Sequence, residues 1–174
     1  MPFVPDATPA KDVPFFENAS TKDGGWQGHS SRSSVETLKR EVQISLGRLG
    51  GSGVVIQAGR FEIGDKERLG FQISYLLSNG DQVMKSRLNI AALPLRKHTT
   101  TKANKTLKMA LYMLRMALDG AWFLEQLSPG YAALIPWMLA PGADKTITEI
   151  WTQNTEIGLL LPPGEADFIE GEFK

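Results

Sequence analysis

The 174-residue sequence contains no cysteine, only two histidines, and 19 basic residues balanced by 19 acidic ones. Without cysteine the chain can form no disulfide, no thiolate zinc site and no thiol nucleophile. No apolar run approaches the roughly 18 residues that a membrane-spanning helix needs. The first residues also lack the basic and apolar pattern of a signal peptide. We therefore expect a cytoplasmic protein without membrane contact.

Motifs for catalysis are also missing. Neither a GxxxxGK[ST] run nor a GxGxxG run is present, and the Gly-rich segment 47–53 follows a predicted helix rather than a strand. His98 lies in a basic stretch without an acidic neighbour, and His29 precedes the predicted domain. A two-metal nuclease needs several carboxylates at strand ends, and the strand region offers only Glu62, Asp65, Glu67 and Asp81. The sequence predicts no enzyme, no catalytic residue, no metal site and no cofactor.

Three segments differ in composition. Residues 1–33 are rich in Pro, Gly and Ser and show no sustained periodicity, which predicts a flexible N-terminal arm. Its large apolar residues include Phe15, Phe16 and Trp26, which either capture a partner or pack on the domain. Residues 34–163 form one predicted domain, and residues 164–174 form an acidic C-terminal tail.

The predicted domain begins with a helix and continues with strands. Ser34 is in position to cap a helix that closes at Gly50-Gly51, with apolar residues spaced by three and four. Short β-rich runs follow, at 54–56, 61–63, 71–75 and 83–88. Asn79-Gly80 is typical of a two-residue type I′ turn and would place Ser78 opposite Asp81. These runs predict a three-stranded antiparallel β-meander.

The second half of the domain has helical periodicity. A long amphipathic helix is predicted over 104–126, a second helix over 131–139 although it contains Pro136, and a third over 146–160. The predicted fold is α+β: an N-terminal helix, the meander, and a layer of three C-terminal helices.

Four junction segments stand out between the predicted elements: Leu93-Pro94-Leu95, Phe123-Leu124, the run from Pro141 to Glu149, and Leu159-Leu160-Leu161-Pro162. With this order of elements, they resemble a widespread family of short bacteriophage and prophage proteins that have no established activity. The resemblance implies a phage context, in which small proteins without cysteine often serve DNA replication, recombination or defence evasion. It transfers no catalytic motif.

The neutral total conceals a separation of charge. Residues 82–118 carry eight basic and no acidic residues, whereas residues 144–174 carry seven acidic and two basic ones. Helix periodicity places Lys105, Lys108, Tyr112 and Arg115 opposite the Ala/Leu face. Because phosphates supply affinity and aromatic rings stack on bases, the pattern predicts binding of single-stranded nucleic acid. The predicted contact residues are Lys85, Arg87, Arg96, Lys97, Lys102, Lys105, Lys108, Tyr112 and Arg115.

The acidic tail suggests a partner. Its composition resembles the tips with which bacterial single-stranded DNA-binding proteins recruit replication or recombination proteins, although Lys174 follows the last aromatic residue. The predicted partner-binding residues are Asp167, Phe168, Glu170, Glu172 and Phe173. The tail could instead compete with DNA for the basic face or act only as a solubilising segment.

A second hypothesis is a protein-interaction module that assembles with itself or blocks a host factor. Met109, Met113 and Met116 lie beside the basic face, and Trp122, Trp137 and Trp151 lie in the helical region. Such residues form adaptable interaction surfaces or fill the core. A homo-oligomer is compatible with both hypotheses.

Overall fold

A computed structural model of the protein describes residues 13–22, 24–28, 31–63, 66–79, 81–130, 132–140 and 142–156. Its helices are α1 (Val35–Arg48), α2 (Thr100–Leu127) and α3 (Ile147–Glu156), and its strands are β1 (Gly51–Ile63), β2 (Lys66–Asn79) and β3 (Gln82–Ala91). The strands form one antiparallel sheet in the order β1-β2-β3. The α+β class and the three-stranded meander are thereby confirmed.

Local signals set the starts of the helices. The Ser34 hydroxyl accepts the backbone N–H of Thr37 at 3.1 Å, so Ser34 caps α1 as predicted. Helix α2 begins four residues before its predicted start, because the hydroxyl of Thr99 accepts the N–H of Lys102 at 3.2 Å. With Thr99 as its cap, the first turn of the helix begins at Thr100.

The predicted helix over 131–139 is wrong. Within the described part of this range, Ile135–Trp137 form a single 3-10 turn, and Met138 and Leu139 make isolated β-bridges with Ser86 and Thr146. Pro136 has no backbone N–H to donate, and the N–H of Leu139 donates to the carbonyl of Lys85 at 3.0 Å. Because the N–H of Leu139 serves a strand-like pairing, the described residues of the predicted three-helix C-terminal layer form two α-helices, α2 and α3.

The predicted register of the β2-β3 hairpin is displaced by two residues. Strand β2 ends at Asn79 and β3 begins at Gln82, and the N–H of Ala92 donates to the carbonyl of Leu69 at 2.7 Å. Both observations fit a pairing of residue 79 with residue 82 rather than of Ser78 with Asp81. Since side chains alternate with a period of two, an even displacement leaves every residue on its predicted face.

The chain divides into two compact units. Among the described residues, those within 1–42, 57–71 and 89–117 form the first unit, and those within 43–56, 72–88 and 118–156 form the second. The first unit contains a buried cluster at which the N-terminal segment meets the end of the strands and α2. Its members are Phe16, Ala19, Leu93, Leu95 and Met109, with Trp26, Leu69 and Ala103 packed against it.

The cluster includes two residues of the predicted N-terminal arm. Phe16 is 6% exposed and Ala19 is 8% exposed, and the N–H of Phe16 donates to the carbonyl of Pro94 at 2.9 Å. Of the two interpretations of the arm's aromatic residues, packing on the domain therefore holds for Phe16. The boundary of the arm at residue 33 stays a prediction.

The second unit has its own core. Its buried apolar side chains are Leu46, Leu49, Ile73, Tyr75, Leu88, Leu118 and Leu134. In the same unit the hydroxyl of the buried Ser45 donates to the carboxylate of Asp119 at 2.7 Å. The guanidinium of Arg48 lies 4.1 Å from the centre of the Trp122 ring, a cation-π contact that covers one face of this aromatic residue. No helix among the described residues is long and apolar enough to span a membrane.

Candidate nucleic-acid interface

Positive charge is concentrated in the first unit. Among the residues that the structure describes there, thirteen Lys and Arg outnumber five Glu, whereas the described residues of the second unit carry four basic and six acidic side chains. Seven of the nine predicted nucleic-acid contacts belong to the first unit: Arg96, Lys97, Lys102, Lys105, Lys108, Tyr112 and Arg115. Because phosphate contacts depend on local positive charge, this unit is the candidate interface.

The start of α2 presents exposed cations. Lys97 and Lys105 are exposed, and neither has an ion-pair partner within 4 Å among the described residues. The first turn of α2 contains no acidic residue, so the positive end of the helix dipole adds to their charge. His98 lies exposed in the same connection. These groups can contact phosphate oxygens without first breaking an ion pair.

Two cations of this region contact the ring of Phe15. The Lys66 ammonium and the Arg96 guanidinium are each 5.2 Å from the centre of its ring. We call Phe15, Lys66, Arg96, Lys97, Lys102 and Lys105 the basic cluster. Neither Phe15 nor Lys66 was predicted as a nucleic-acid contact, because their contacts join segments far apart in the chain; Phe15 was named only as an apolar residue of the N-terminal arm.

Glu17 neutralises part of the basic cluster. Its carboxylate accepts the Lys102 ammonium at 2.9 Å and the backbone N–H of Arg96 at 3.3 Å. The hydrogen bond from Lys102, with a smaller contribution from the Arg96 N–H, lowers the pKa of Glu17 to about 2. The N-terminal segment is therefore held on the start of α2 by an ionised carboxylate.

The predicted polar face of α2 is partly covered. Lys108 donates to the carbonyl of Ser31 at 3.0 Å, and Arg115 pairs with Glu41 at 3.4 Å. Gly28, at φ +96°, packs so closely on Tyr112 that a Cβ there would lie 3.0 Å from the Tyr112 Cβ and 3.1 Å from its ring. The helix periodicity placed these three α2 residues on one face correctly, but Tyr112 is half-buried beneath backbone and is not an open stacking surface.

Lys85 and Arg87 belong to the second unit. They line a surface cavity of about 550 Å³ together with Gln72, Ser74 and Asp144. Lys85 is exposed, whereas the Arg87 side chain is only 18% exposed. The guanidinium of Arg87 pairs with the carboxylates of Asp144 and Glu149 at 3.0 and 3.2 Å. Arg87 therefore holds the segment that leads into α3, and its charge is already balanced.

Glu149 is fixed from both sides. Its carboxylate accepts the backbone N–H of Thr146 at 2.7 Å, and its own N–H donates to the Thr146 hydroxyl at 3.2 Å, the reciprocal pattern of a capping box. The Thr146 N–H is the main cause that lowers the pKa of Glu149, and Arg87 adds to it. This network gives Arg87 a structural role at the start of α3.

Other predicted sites lie beyond what the structure describes. The tail residues Asp167, Phe168, Glu170, Glu172 and Phe173 are outside the described residues, as is His29. Among the residues that are described, no group of three or more His, Asp or Glu side chains is placed to hold a metal ion. The prediction that the chain is not an enzyme stays a prediction.

Comparison with known proteins yields no relative. No protein-family model, no curated protein and no solved structure matches the chain. The resemblance to phage proteins therefore stays a prediction, and the functional evidence is the arrangement of charge and aromatic side chains in the first unit.

Proposed function

We propose that this chain is a non-enzymatic phage accessory protein that binds single-stranded DNA in replication or recombination. The observation that carries the proposal is the basic cluster at the start of α2, within a unit whose described residues have thirteen basic and five acidic side chains. Exposed Lys97 and Lys105 supply phosphate contacts, and such contacts dominate the affinity of proteins for nucleic acid.

The preference for single strands rests on the aromatic residue within the cluster. Phe15 is partly exposed and is flanked by Lys66 and Arg96. Proteins that bind single strands combine a basic groove with aromatic rings on which unpaired bases stack, each worth about 1 to 3 kcal/mol. A base in a duplex is already stacked and is not offered to such a ring. The phage context of the proposal comes from the resemblance of the junction segments to phage proteins. The proposed partners of the acidic C-terminal tail, residues 164–174, are replication or recombination proteins.

Lys105→Glu tests the proposal by fluorescence anisotropy against single-stranded and double-stranded oligonucleotides at two salt concentrations. We expect weaker binding to all single-stranded sequences and a fall of about 1 in the slope of log affinity against log salt, because one phosphate contact is lost. Lys145→Glu is the matched control, since Lys145 is exposed in the second unit and contacts Gln153 at 2.8 Å. Equal effects of both substitutions, or none, would contradict the proposal.

Self-association of the second unit is a second candidate function. Phe123, Leu124 and Leu127 lie near one another on α2 and are 58%, 45% and 81% exposed. A contiguous exposed apolar patch is typical of a protein interface. Met109, which the interaction hypothesis also used, is 2% exposed and serves the core instead. The occupant that we propose is a second copy of this chain.

Light scattering during size-exclusion chromatography tests this candidate. Wild-type protein without nucleic acid should elute as a defined oligomer, and Leu127→Lys should dissociate it, because a charge would then have to be buried in the interface. Lys145→Glu again serves as a control for a surface charge change. A monomeric wild type at high protein concentration would exclude self-association through this patch.

A further inference from the structure

A small cavity in the first unit combines a cation with an aromatic ring. Its volume is about 190 Å³, and its lining includes Trp26, Arg68, Leu93, Met109 and Met113. Cavities that bind drug-sized molecules measure about 300 to 1,000 Å³. This cavity therefore suits a single flat ring system rather than a larger ligand.

Arg68 provides the polar side of the cavity. Its Nε donates to the carbonyl of Ala92 at 2.7 Å, and its terminal nitrogen donates to the carbonyl of Ala91 at 3.1 Å. No carboxylate of the described residues lies within ion-pair distance of Arg68. Burial lowers the pKa of the guanidinium. Since a guanidinium has five N–H donors, Arg68 is a partly desolvated cation that can donate to a further acceptor.

Trp26 and the two methionines provide the apolar side. Trp26 is partly buried and packs against the cluster formed by Phe16, Leu93 and Met109. An indole ring beside a cavity can stack on another flat ring, and methionine side chains adapt to aromatic surfaces. Unpaired bases are typically bound in this way, between an aromatic ring and polar groups that reach the base edge.

We propose that this cavity binds one unpaired base of a single-stranded nucleic acid, with Trp26 against its ring and Arg68 donating to its edge. The inference rests on the proposed function and adds a base-binding site to it. Guanine is the preferred base, because its O6 and N7 present two adjacent acceptors to a guanidinium fork. The surplus of basic residues in the same unit favours binding of the phosphates on either side of the bound base.

The test compares three labelled oligonucleotides of one length, a tract of abasic sites that carries a single guanine, a single thymine or no base at its centre. Anisotropy titrations of the full chain should show guanine bound about tenfold more tightly than the abasic site, with thymine between them. Arg68→Met keeps the aliphatic stem and removes the donors. It should abolish the preference for guanine while leaving the salt slope unchanged, since the number of phosphate contacts stays the same.

Trp26→Leu is a second variant, to be measured alongside Arg68→Met. It carries the test alone if circular dichroism shows that the Arg68→Met variant is unfolded. It should reduce binding of both base-containing oligonucleotides toward that of the abasic one. Equal affinity of the wild type for all three oligonucleotides would overturn the base site and leave the proposed function intact. Failure to bind any of them at low salt would overturn the proposed function and this inference together.

Discussion

At the scale of single residues, the structure assigns roles that the residue type alone does not. Lys105 and Arg87 were predicted as equivalent phosphate contacts, yet Lys105 is exposed without an ion-pair partner among the described residues, and Arg87 is bound to Asp144 and Glu149. Asp144 and Glu149 lie 57 and 62 residues beyond Arg87 in the chain. No local pattern could have revealed this pairing, because side chains of the opposite sign are available at many positions.

Gly70 offers a prediction at this scale. A Cβ at Gly70 would overlap the carbonyl oxygen of Ile90 and approach the Phe61 ring to 2.6 Å. Gly70→Ala should therefore lower the free energy of unfolding by about 1 to 3 kcal/mol, the usual cost of overpacking a core. Urea unfolding followed by circular dichroism measures this decrease in the free energy of unfolding.

Gly59→Ala is the control for that substitution. Gly59 lies in β1, and a Cβ there would have no neighbour within 4 Å. Its substitution should change stability little or raise it slightly, because alanine restricts the unfolded chain. If Gly59→Ala lowered the free energy of unfolding as much as Gly70→Ala, the backbone freedom of glycine rather than close packing would explain the effect at Gly70.

At the scale of elements, the N-terminal segment differs most from its predicted role. The 3-10 turn Phe16–Asn18 brings Phe16 into the core of the first unit and Glu17 to the start of α2. The short turn has no helical periodicity for sequence analysis to detect. Conversely, α1 and α2 are long and strongly periodic, and their predicted existence is confirmed with shifted ends. Length and periodicity therefore decided which elements could be predicted.

The ion pair between Glu17 and Lys102 gives a pH-dependent prediction. Because the pKa of Glu17 falls from 4.5 to about 2 on folding, its carboxylate stabilises the fold above pH 4.5, and this contribution disappears as the pH falls toward 2. Glu17→Gln should be less stable than wild type at neutral pH, by up to about 1 kcal/mol for a pair at the surface.

Thermal unfolding at a series of pH values checks this expectation. The difference between wild type and Glu17→Gln should be constant from neutral pH down to pH 4.5 and should narrow below it. Glu36→Gln is the control, because Glu36 pairs with Lys39 of the same helix and its side chain is 80% exposed. A difference that persists unchanged at the lowest pH would show that Glu17 acts through packing rather than charge.

At the scale of the whole molecule, charge is distributed unevenly although the sum is zero. The acidic surplus lies toward the C-terminus, where Glu165, Asp167, Glu170 and Glu172 follow one another, and the basic surplus lies in the first unit. Attraction between opposite surpluses would favour competition between the tail and a nucleic acid. Such competition would be weakened by salt, because ions screen charges beyond about 10 Å at 0.1 M.

Deletion of residues 164–174 tests that competition. The shortened protein should bind single-stranded oligonucleotides more tightly at low salt, and the gain should disappear as the salt concentration rises. A variant in which the four acidic tail residues become Asn or Gln keeps the length and should behave like the deletion. Unchanged affinity in both variants at low salt would leave the tail without a competing role.

The sequence by itself determined the α+β class, the meander and the face of each residue in the β2-β3 hairpin, because alternation and helical periodicity are local properties. It did not determine the hairpin register: an even displacement satisfies the same alternation, and the Ala92 to Leu69 hydrogen bond distinguishes the two pairings. Only the tertiary structure decided which basic residues are accessible. Glu17, Ser31 and Glu41 contact α2 from distant parts of the chain, and such contacts depend on packing rather than on the order of neighbouring residues.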